Sequence, residues 1–393
     1  MINRKKIFFI ALAIAVLSSV GIFTCYYRGW FGNHLILSKT NFDSLTDWKN
    51  DDHKQALEAL QRSCVVIDKL DPNKLFSSKI PQSGKARDWQ KICLAVNDID
   101  KNDELHVRSF FEYWFEPYRI SNNFNPKGLF TGYYLPNLKC SLQQNEQYKV
   151  PVYATPDDLV KVDLGLFDKK LKGRTLVGQV KEKKLYPYPD KAAIDKGINA
   201  EVLTWCDDKI DVAFAHIQGS AAVQLPDGKQ FLINYEASNG RPYTAIGRVL
   251  INNKDLTPKN SSMQDIRAWM LQHPDKADSV LNKNASYVFF RVLENVDPLG
   301  SQQVPLVPQG SLAVDKRYIP LGVPIWLDTV IPDSLPQTFI PFHHLLVAQD
   351  TGGAIKGVVR GDVYWGGGEQ AAFIAGHMKS QGSYWILLPR VRS

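Results

Sequence analysis

Hydrophobic positions along this chain change texture three times. Residues 7–24 form an 18-residue run without a charge, preceded by Arg4, Lys5 and Lys6. Apolar residues then recur at helical spacing over about 50–118. In DDHKQALEALQRSCVVIDKL they fall at Ala56, Leu57, Leu60 and Cys64, and ARDWQKICLAVNDI and LHVRSFFEYWFEPYRI repeat the character. That spacing predicts two or three amphipathic helices. From Gly128 onward, short apolar runs alternate with Gly, Pro, Asn and Asp, as in GLFTGYYLP, YKVPVYATP, VAFAHIQGSAAVQLPDG and KQFLINYEASNG. Such runs predict strands of a sheet or barrel, with a hairpin turn at Leu225-Pro226-Asp227-Gly228. Helical spacing returns at 263–270 and 275–281, and strand-like runs from YVFFRV to YWILLP fill the rest. The expected fold is mainly β with N-terminal helices.

The basic start and the apolar run are the pattern of an export signal or membrane anchor, although the run barely reaches the length of a spanning helix. Cys25 follows directly, in GIFTC. A lipoprotein signal ends at a cysteine that is lipidated after cleavage, usually behind a small residue, where this chain has Thr24. Lipidation at Cys25 and an uncleaved inner-membrane anchor therefore both stand, and both put the body outside the cytoplasm. Residues 1–27 are read as signal or anchor and 28–45 as a tether.

With 393 residues the chain has room for two domains. Its formal charge of +7 falls to +4 without Arg4, Lys5 and Lys6, and the body has no basic run of the kind that binds nucleic acid. Of the five cysteines, Cys64, Cys93, Cys140 and Cys206 remain beside Cys25. An oxidising compartment permits disulfides, and buried free thiols are the alternative. No CxxC spacing suggests a metal site, and the pair His343 and His344 lacks a third ligand at a recognisable spacing. No metal and no cofactor are expected.

Candidate chemistry lies in QDTGGAIKGVVRGDVYWG, from Gln349 to Gly366. Asp350-Thr351-Gly352 is the tripeptide of aspartic proteases, but those need two such loops facing each other and this chain has one. GGAIKG lacks the order of a phosphate-binding loop, since Gly357 and Val358 follow Lys356. The better reading is a hairpin that holds Asp350 and Asp362 near each other at a sheet edge. Burial and a second carboxylate both raise an acid's pKa, which is how it stays protonated to act as a general acid. Asp315 ends another short strand, in GSLAVD. Taken singly, each of the three acids reads better as a turn aspartate capping backbone amides.

The residues in order resemble a known family. Phe130-Thr131-Gly132-Tyr133-Tyr134, Gln218-Gly219-Ser220, Asn239-Gly240, Ile246-Gly247-Arg248, Tyr287-Val288-Phe289-Phe290, Ala313-Val314-Asp315, Asp350-Thr351-Gly352-Gly353 and Asp362-Val363-Tyr364-Trp365-Gly366 carry the likeness. Together they resemble the membrane-bound lytic murein transglycosylase A family, whose C-terminal part is the three-aspartate domain. The resemblance runs from about Thr46 to the end. It implies a double-psi β-barrel catalytic domain from 46–139 and 293–393, a smaller β-barrel domain inserted at 140–292, and a substrate groove between them. It implies an enzyme, a lytic exotransglycosylase that cleaves the β-1,4 bond between N-acetylmuramic acid and N-acetylglucosamine in peptidoglycan and leaves 1,6-anhydromuramoyl ends. A wall-binding protein that does not cleave and a hydrolytic muramidase are the alternatives. Matching positions assign Asp362 as general acid and then base, Asp350 as a supporting carboxylate and Asp315 as a structural or supporting acid. Thr131, Gly132, Tyr133, Gln218, Gly219, Ser220 and Tyr364 match substrate-binding positions. For Tyr133, Tyr134, Tyr243 and Trp365, core packing is the plain alternative. The implied partners are peptidoglycan glycan strands, wall-synthesis proteins and, through the N-terminal anchor, a membrane, with no nucleic acid. The implied place is the periplasm, with outer-membrane lipidation preferred over an inner-membrane anchor. Ala221 and Ala222 stand where the family has glycine and a basic residue, and Ala285 where it has proline.

Overall fold

The structure is a computed structural model, and it describes residues 32–293, 297–333 and 338–390. The anchor assigned to residues 1–27, Cys25 included, lies outside the described residues. The chain divides into two compact units. The first comprises residues 1–131, 301–363 and 379–393, and the second 132–300 and 364–378. The chain thus changes unit after 131, 300, 363 and 378, whereas the sequence reading drew boundaries after 139 and 292.

In the first unit the helices Lys54–Ile67, Ala86–Val96 and Glu104–Trp114 fill the stretch where helical spacing is strongest. Ala56, Leu57, Leu60 and Cys64 are buried on one face of the first helix, together with Ala59, Ser63 and Ile67. A disulfide joins Cys64 to Cys93 on the next helix. An eight-stranded sheet runs in the order Leu35–Lys39, Phe115–Asn122, Lys379–Pro389, Pro324–Pro332, Phe339–Asp350, Ser311–Val314, Arg360–Gly367, Gly128–Leu135. Gly128–Leu135 also pairs with Lys379–Pro389, from Lys379↔Thr131 to Gly382↔Gly128, so six of these strands close into a ring. Parts of the ring are buried on both faces. Ser311–Val314 is buried throughout, and so is the stretch from Leu345 to Gln349. Such strands read as continuous apolar runs instead of alternating ones.

Three expectations differ from the structure. Residues 35–39 are not part of a tether: Leu35–Lys39 pairs antiparallel with Phe115–Asn122 along its whole length. VAFAHIQ is helical, not extended. Its helix, Lys209–Gln218, is capped by the Asp208 carboxylate on the Ile210 amide and stopped by Gly219 at φ +80. The two caps and two alanines favour a helix over the strand that the apolar alternation suggested. Finally, Asp350 and Asp362 do not face each other across a hairpin. Ser311–Val314 inserts between their strands, parallel to Phe339–Asp350 and antiparallel to Arg360–Gly367. A central apolar strand with partners on both sides satisfies more backbone groups than an edge hairpin would.

In the second unit a six-stranded sheet runs Val288–Leu293, Gln230–Ser238, Ser220–Gln224, Asn137–Ser141, Val202–Cys206, Val150–Tyr153. Leu138, Val152, Val223, Ile233 and Phe290 form its core with the buried disulfide Cys140–Cys206, whose cysteines are register partners on adjacent strands. By chain entropy, a crosslink over 66 residues stabilises by roughly 4 kcal/mol. The expected turn at Leu225 to Gly228 is formed, with Gly228 at φ +84 and its amide donating to Leu225 O at 3.0 Å. Helices Met263–Gln272 and Pro274–Leu281 pack with Ile246–Asn252 in a second core. A three-stranded sheet of Val160–Asp163, Thr175–Lys181 and Lys184–Pro187 stands apart from the larger one.

Candidate active site

The inserted strand sets the spacing of the two central acids. Ala313 is the register partner of Asp350 on one side and of Asp362 on the other. Two strand spacings separate the acids' backbones, about 10 Å. Registered residues project from the same face, and the methyl of Ala313 fills little of the space between the carboxyls. Their charges interact, and Asp350 raises the pKa of Asp362.

Asp362 is half-buried, and Thr131 Oγ1 donates to its Oδ1. Arg360 Nη2 donates in turn to Thr131 Oγ1 at 2.8 Å. Arg360 lies two residues before Asp362 and so on the same face of the strand. The Arg360 guanidinium also donates to Leu129 O at 3.3 Å and to Gly361 O. Because Arg360 occupies a lone pair of the Thr131 hydroxyl, that hydroxyl is set to donate to Asp362. Oδ1 is committed as an acceptor, which leaves Oδ2 to carry an acid proton. Burial is the main cause that pushes Asp362 up to about 6; Asp350 adds to the rise, while Arg360 and the Thr131 hydrogen bond oppose it. The balance is an acid that exchanges its proton near neutrality.

Asp350 is held differently. Its Oδ1 accepts from Ser301 N, Ser301 Oγ and Thr351 N, each at 2.8 Å. Donors of this kind favour a carboxylate over a carboxylic acid. The preceding residue, Gln349, is fully buried and fixes this end of the strand. Its amide donates to Ala59 O at 2.7 Å and to Ser63 Oγ at 2.9 Å, and its oxygen accepts from Ser311 Oγ at 2.5 Å.

Asp315 follows the inserted strand and is buried. It accepts from Arg317 Nε at 2.9 Å, Arg317 Nη2 at 2.5 Å and Gly357 N at 2.8 Å. Burial is the strongest single effect and favours the neutral acid, but the Arg317 and Gly357 hydrogen bonds together outweigh it and hold Asp315 below the usual carboxylate range. Asp315 therefore ties the turn after Val314 to the loop that carries Gly357.

The matched substrate positions fall in two groups. Thr131 is on Asp362. The others belong to the second unit, where several already have internal partners. A Cβ on Gly132 would lie 2.6 Å from Trp365 Nε1 and 3.0 Å from Ala375 Cα, so only glycine lets the strand lie against that indole. Tyr133 and Tyr364 are buried against each other, with ring centroids 5.2 Å apart. Gln218 accepts from Tyr134 N at 3.1 Å, Gly219 O accepts from Tyr235 N at 2.7 Å, and Ser220 Oγ donates to Asn234 Oδ1 at 2.8 Å. Ala221, a departure from the family pattern, is fully buried in the core beside them. His343 pairs with Asp47 at 2.7 Å and His344 with Asp51 at 2.7 Å. Among the described residues, no group of three or more His, Cys, Asp or Glu is arranged to hold a metal ion.

Sequence reasoning missed Arg360, Ser301 and Gln349. Arg360 had a signal, a cation two residues from an acid inside an otherwise apolar strand. Ser301 had none, since it lies 49 residues from its partner.

Comparison with known proteins identifies the family. Residues 129–291 match the family described as the MltA specific insert domain, and residues 310–388 match the 3D domain. The chain is 30% identical to a membrane-bound lytic murein transglycosylase A homolog of Buchnera aphidicola, over 98% of this chain and 97% of that protein. A membrane-bound lytic murein transglycosylase from Agrobacterium tumefaciens superposes with a TM-score of 0.79 at 31% identity, covering 90% of this chain and 98% of that one. Escherichia coli MltA with bound chitohexaose shares the fold, with a TM-score of 0.64 at 23% identity, covering 90% of this chain and 95% of that one. The chain belongs to the membrane-bound lytic murein transglycosylase A family.

Proposed function

We propose that this enzyme cleaves the β-1,4 bond between N-acetylmuramic acid and N-acetylglucosamine, with Asp362 as the only proton-transferring group. The observation that carries this reading is the half-buried Asp362, raised to about 6, with Oδ1 held by Thr131 and Oδ2 left for the proton. Oδ2 gives its proton to the glycosidic oxygen as the bond to C1 of the muramic acid breaks. The C6 hydroxyl of the same sugar attacks C1, and Asp362, now a carboxylate, takes the hydroxyl proton. The 1,6-anhydro bond closes and the acid is restored, so no water is consumed. The nucleophile is intramolecular and needs no second carboxylate to position a water. Asp350, whose Oδ1 accepts three hydrogen bonds, supports the positive character that develops at C1. The chitohexaose held by the Escherichia coli protein is a β-1,4 N-acetylglucosamine chain and supports a glycan as the ligand here.

Digested peptidoglycan is the test. Muropeptides one water lighter than hydrolysis products, and unchanged by borohydride, are the expected result. Reducible ends would make the enzyme a hydrolase. No products from folded protein that still sediments with peptidoglycan would make it a binding protein.

Membrane-bound relatives support a membrane-associated protein of the cell envelope. Among the described residues no helix is long and apolar enough to cross a membrane. We therefore assign attachment to the N-terminal segment, with lipidation at Cys25 and the body in the periplasm. A fatty-acid label incorporated by the parent chain should be absent from Cys25→Ser, whereas an uncleaved anchor predicts no label in either.

A further inference from the structure

The chain's positive charge is concentrated far from the acids in sequence. Residues 160–187 hold eight Lys and Arg against three acids, and so carry five of the chain's seven net positive charges. Lys161, Lys169, Lys170, Lys172, Arg174, Lys181, Lys183 and Lys184 are all exposed. Two of the three acids are turned onto their own backbone: Asp163 accepts from Gly165 N and Asp168 from Lys170 N, both at 2.8 Å.

The same segment presents apolar side chains to solvent. In the three-stranded sheet, Val162 is paired with Leu176 and Val180 with Leu185, which places them on one face. Leu176 is 50% exposed, Val180 57% and Leu185 40%. The opposite face packs inward, with Gln179 buried and Val177 against Gly240. This inverts the usual pattern, in which the solvent face of a sheet is polar. On the loop between Val160–Asp163 and Thr175–Lys181, Leu166 is 84% exposed and its neighbour Phe167 79%. The hairpin turn at Glu182 and Lys183 has both residues at positive φ, 50 and 63, where Asn-Gly is the favoured pair.

We propose that this face, with the Leu166 and Phe167 turn, docks on an anionic lipid surface. Exposed Leu166 and Phe167 followed by Lys169, Lys170, Lys172 and Arg174 form the arrangement that settles into the headgroup boundary of a bilayer, whereas Lys161, Lys181 and Lys184 lie on the other face of the sheet. Each Lys or Arg held near an anionic leaflet strengthens binding about fivefold. A glycan strand would need hydroxyl- or amide-bearing side chains beside the rings, and Leu166, Leu176, Val180 and Leu185 offer none. Attachment of the chain's N-terminus to a membrane, as read above, puts a lipid surface in the same compartment. The docking face goes beyond the cleavage reaction and does not depend on it.

Hydrogen exchange on the full chain in vesicles tests the proposal. With phosphatidylglycerol present, the amides of 160–187 should exchange at least about tenfold more slowly than in phosphatidylcholine alone, and about 1 M salt should remove the difference. Leu166→Ser with Phe167→Ser, and separately Lys169→Glu with Lys170→Glu and Lys172→Glu, should lose the protection and still cleave soluble peptidoglycan at the parent rate. These side chains are exposed, so folding is not at stake. Equal exchange in both lipids would overturn the proposal. Protection by soluble glycan strands instead, or protection that grows with protein concentration in the absence of anionic lipid, would also overturn it.

Discussion

Asp362→Asn is expected to lower turnover of peptidoglycan by about 10⁴-fold, the upper end of what proton transfer by a side chain contributes. The upper end applies because one carboxyl serves both halves of the reaction. Asparagine keeps the size and the oxygen that accepts from Thr131, but it has no proton to give to a leaving oxygen. Turnover and products by mass spectrometry, with circular dichroism as the control for folding, check it. A folded variant within about tenfold of the parent rate would remove Asp362 from the chemistry, since a tenfold change is only 1.4 kcal/mol.

The same substitution should make the protein more stable, and the sign follows from the pKa. Asp362 is raised from 3.8 to about 6 in the folded chain, so the folded state holds this proton more tightly than the unfolded state does. The stabilisation from that proton is complete below about pH 4 and is lost as pH rises through about 6. A shift of about two units corresponds to roughly 3 kcal/mol at most. Asp362→Asn does not titrate. Its melting temperature should therefore exceed the parent's by a few degrees above pH 7, and the difference should close below pH 4. The parent's kcat should fall as pH rises through the same region, because only the protonated acid begins the reaction.

How much of this was legible depended on whether the information was local. The helix Lys54–Ile67 could be read because its buried residues repeat at 3.6-residue spacing in one short window. The acids could be read as a group only through the order of many short motifs, since each alone is an ordinary turn aspartate. The insertion of Ser311–Val314 between the strands of Asp350 and Asp362 left no local trace. A hairpin and a split pair of strands have the same apolar pattern, and only long-range pairing separates them. Lys209–Gln218 was misread because its apolar residues outnumber its polar ones, so neither period stands out, and the caps at Asp208 and Gly219 were the better evidence. Gly132 and Gln218 were legible as motif residues, but the packing of one on Trp365 and the hydrogen bond of the other to Tyr134 were not.

Arg360→Met is expected to damage both the fold and the acid. The guanidinium is buried and supplies donors to Leu129 O, Gly361 O and Thr131 Oγ1. Methionine fills much of the space and supplies none, so the loss should be about 3–5 kcal/mol, as when one partner of a buried charged pair is removed. Arg360 also opposes the rise of the Asp362 pKa. Without it Asp362 should hold its proton to higher pH, and the falling limb of the rate profile should move up by at least about one unit. Thr131 would then be free to turn its hydroxyl away from Oδ1, and misorientation of the acid should lower kcat by about 10²-fold. A purely structural role predicts lower kcat at every pH with the limb unmoved, and that result would refute the role given to Arg360 here. Arg360→Lys keeps the charge without the fork. It should return the limb toward the parent's position and leave kcat low, because one ammonium cannot serve Leu129 O, Gly361 O and Thr131 Oγ1 in the guanidinium's planar geometry.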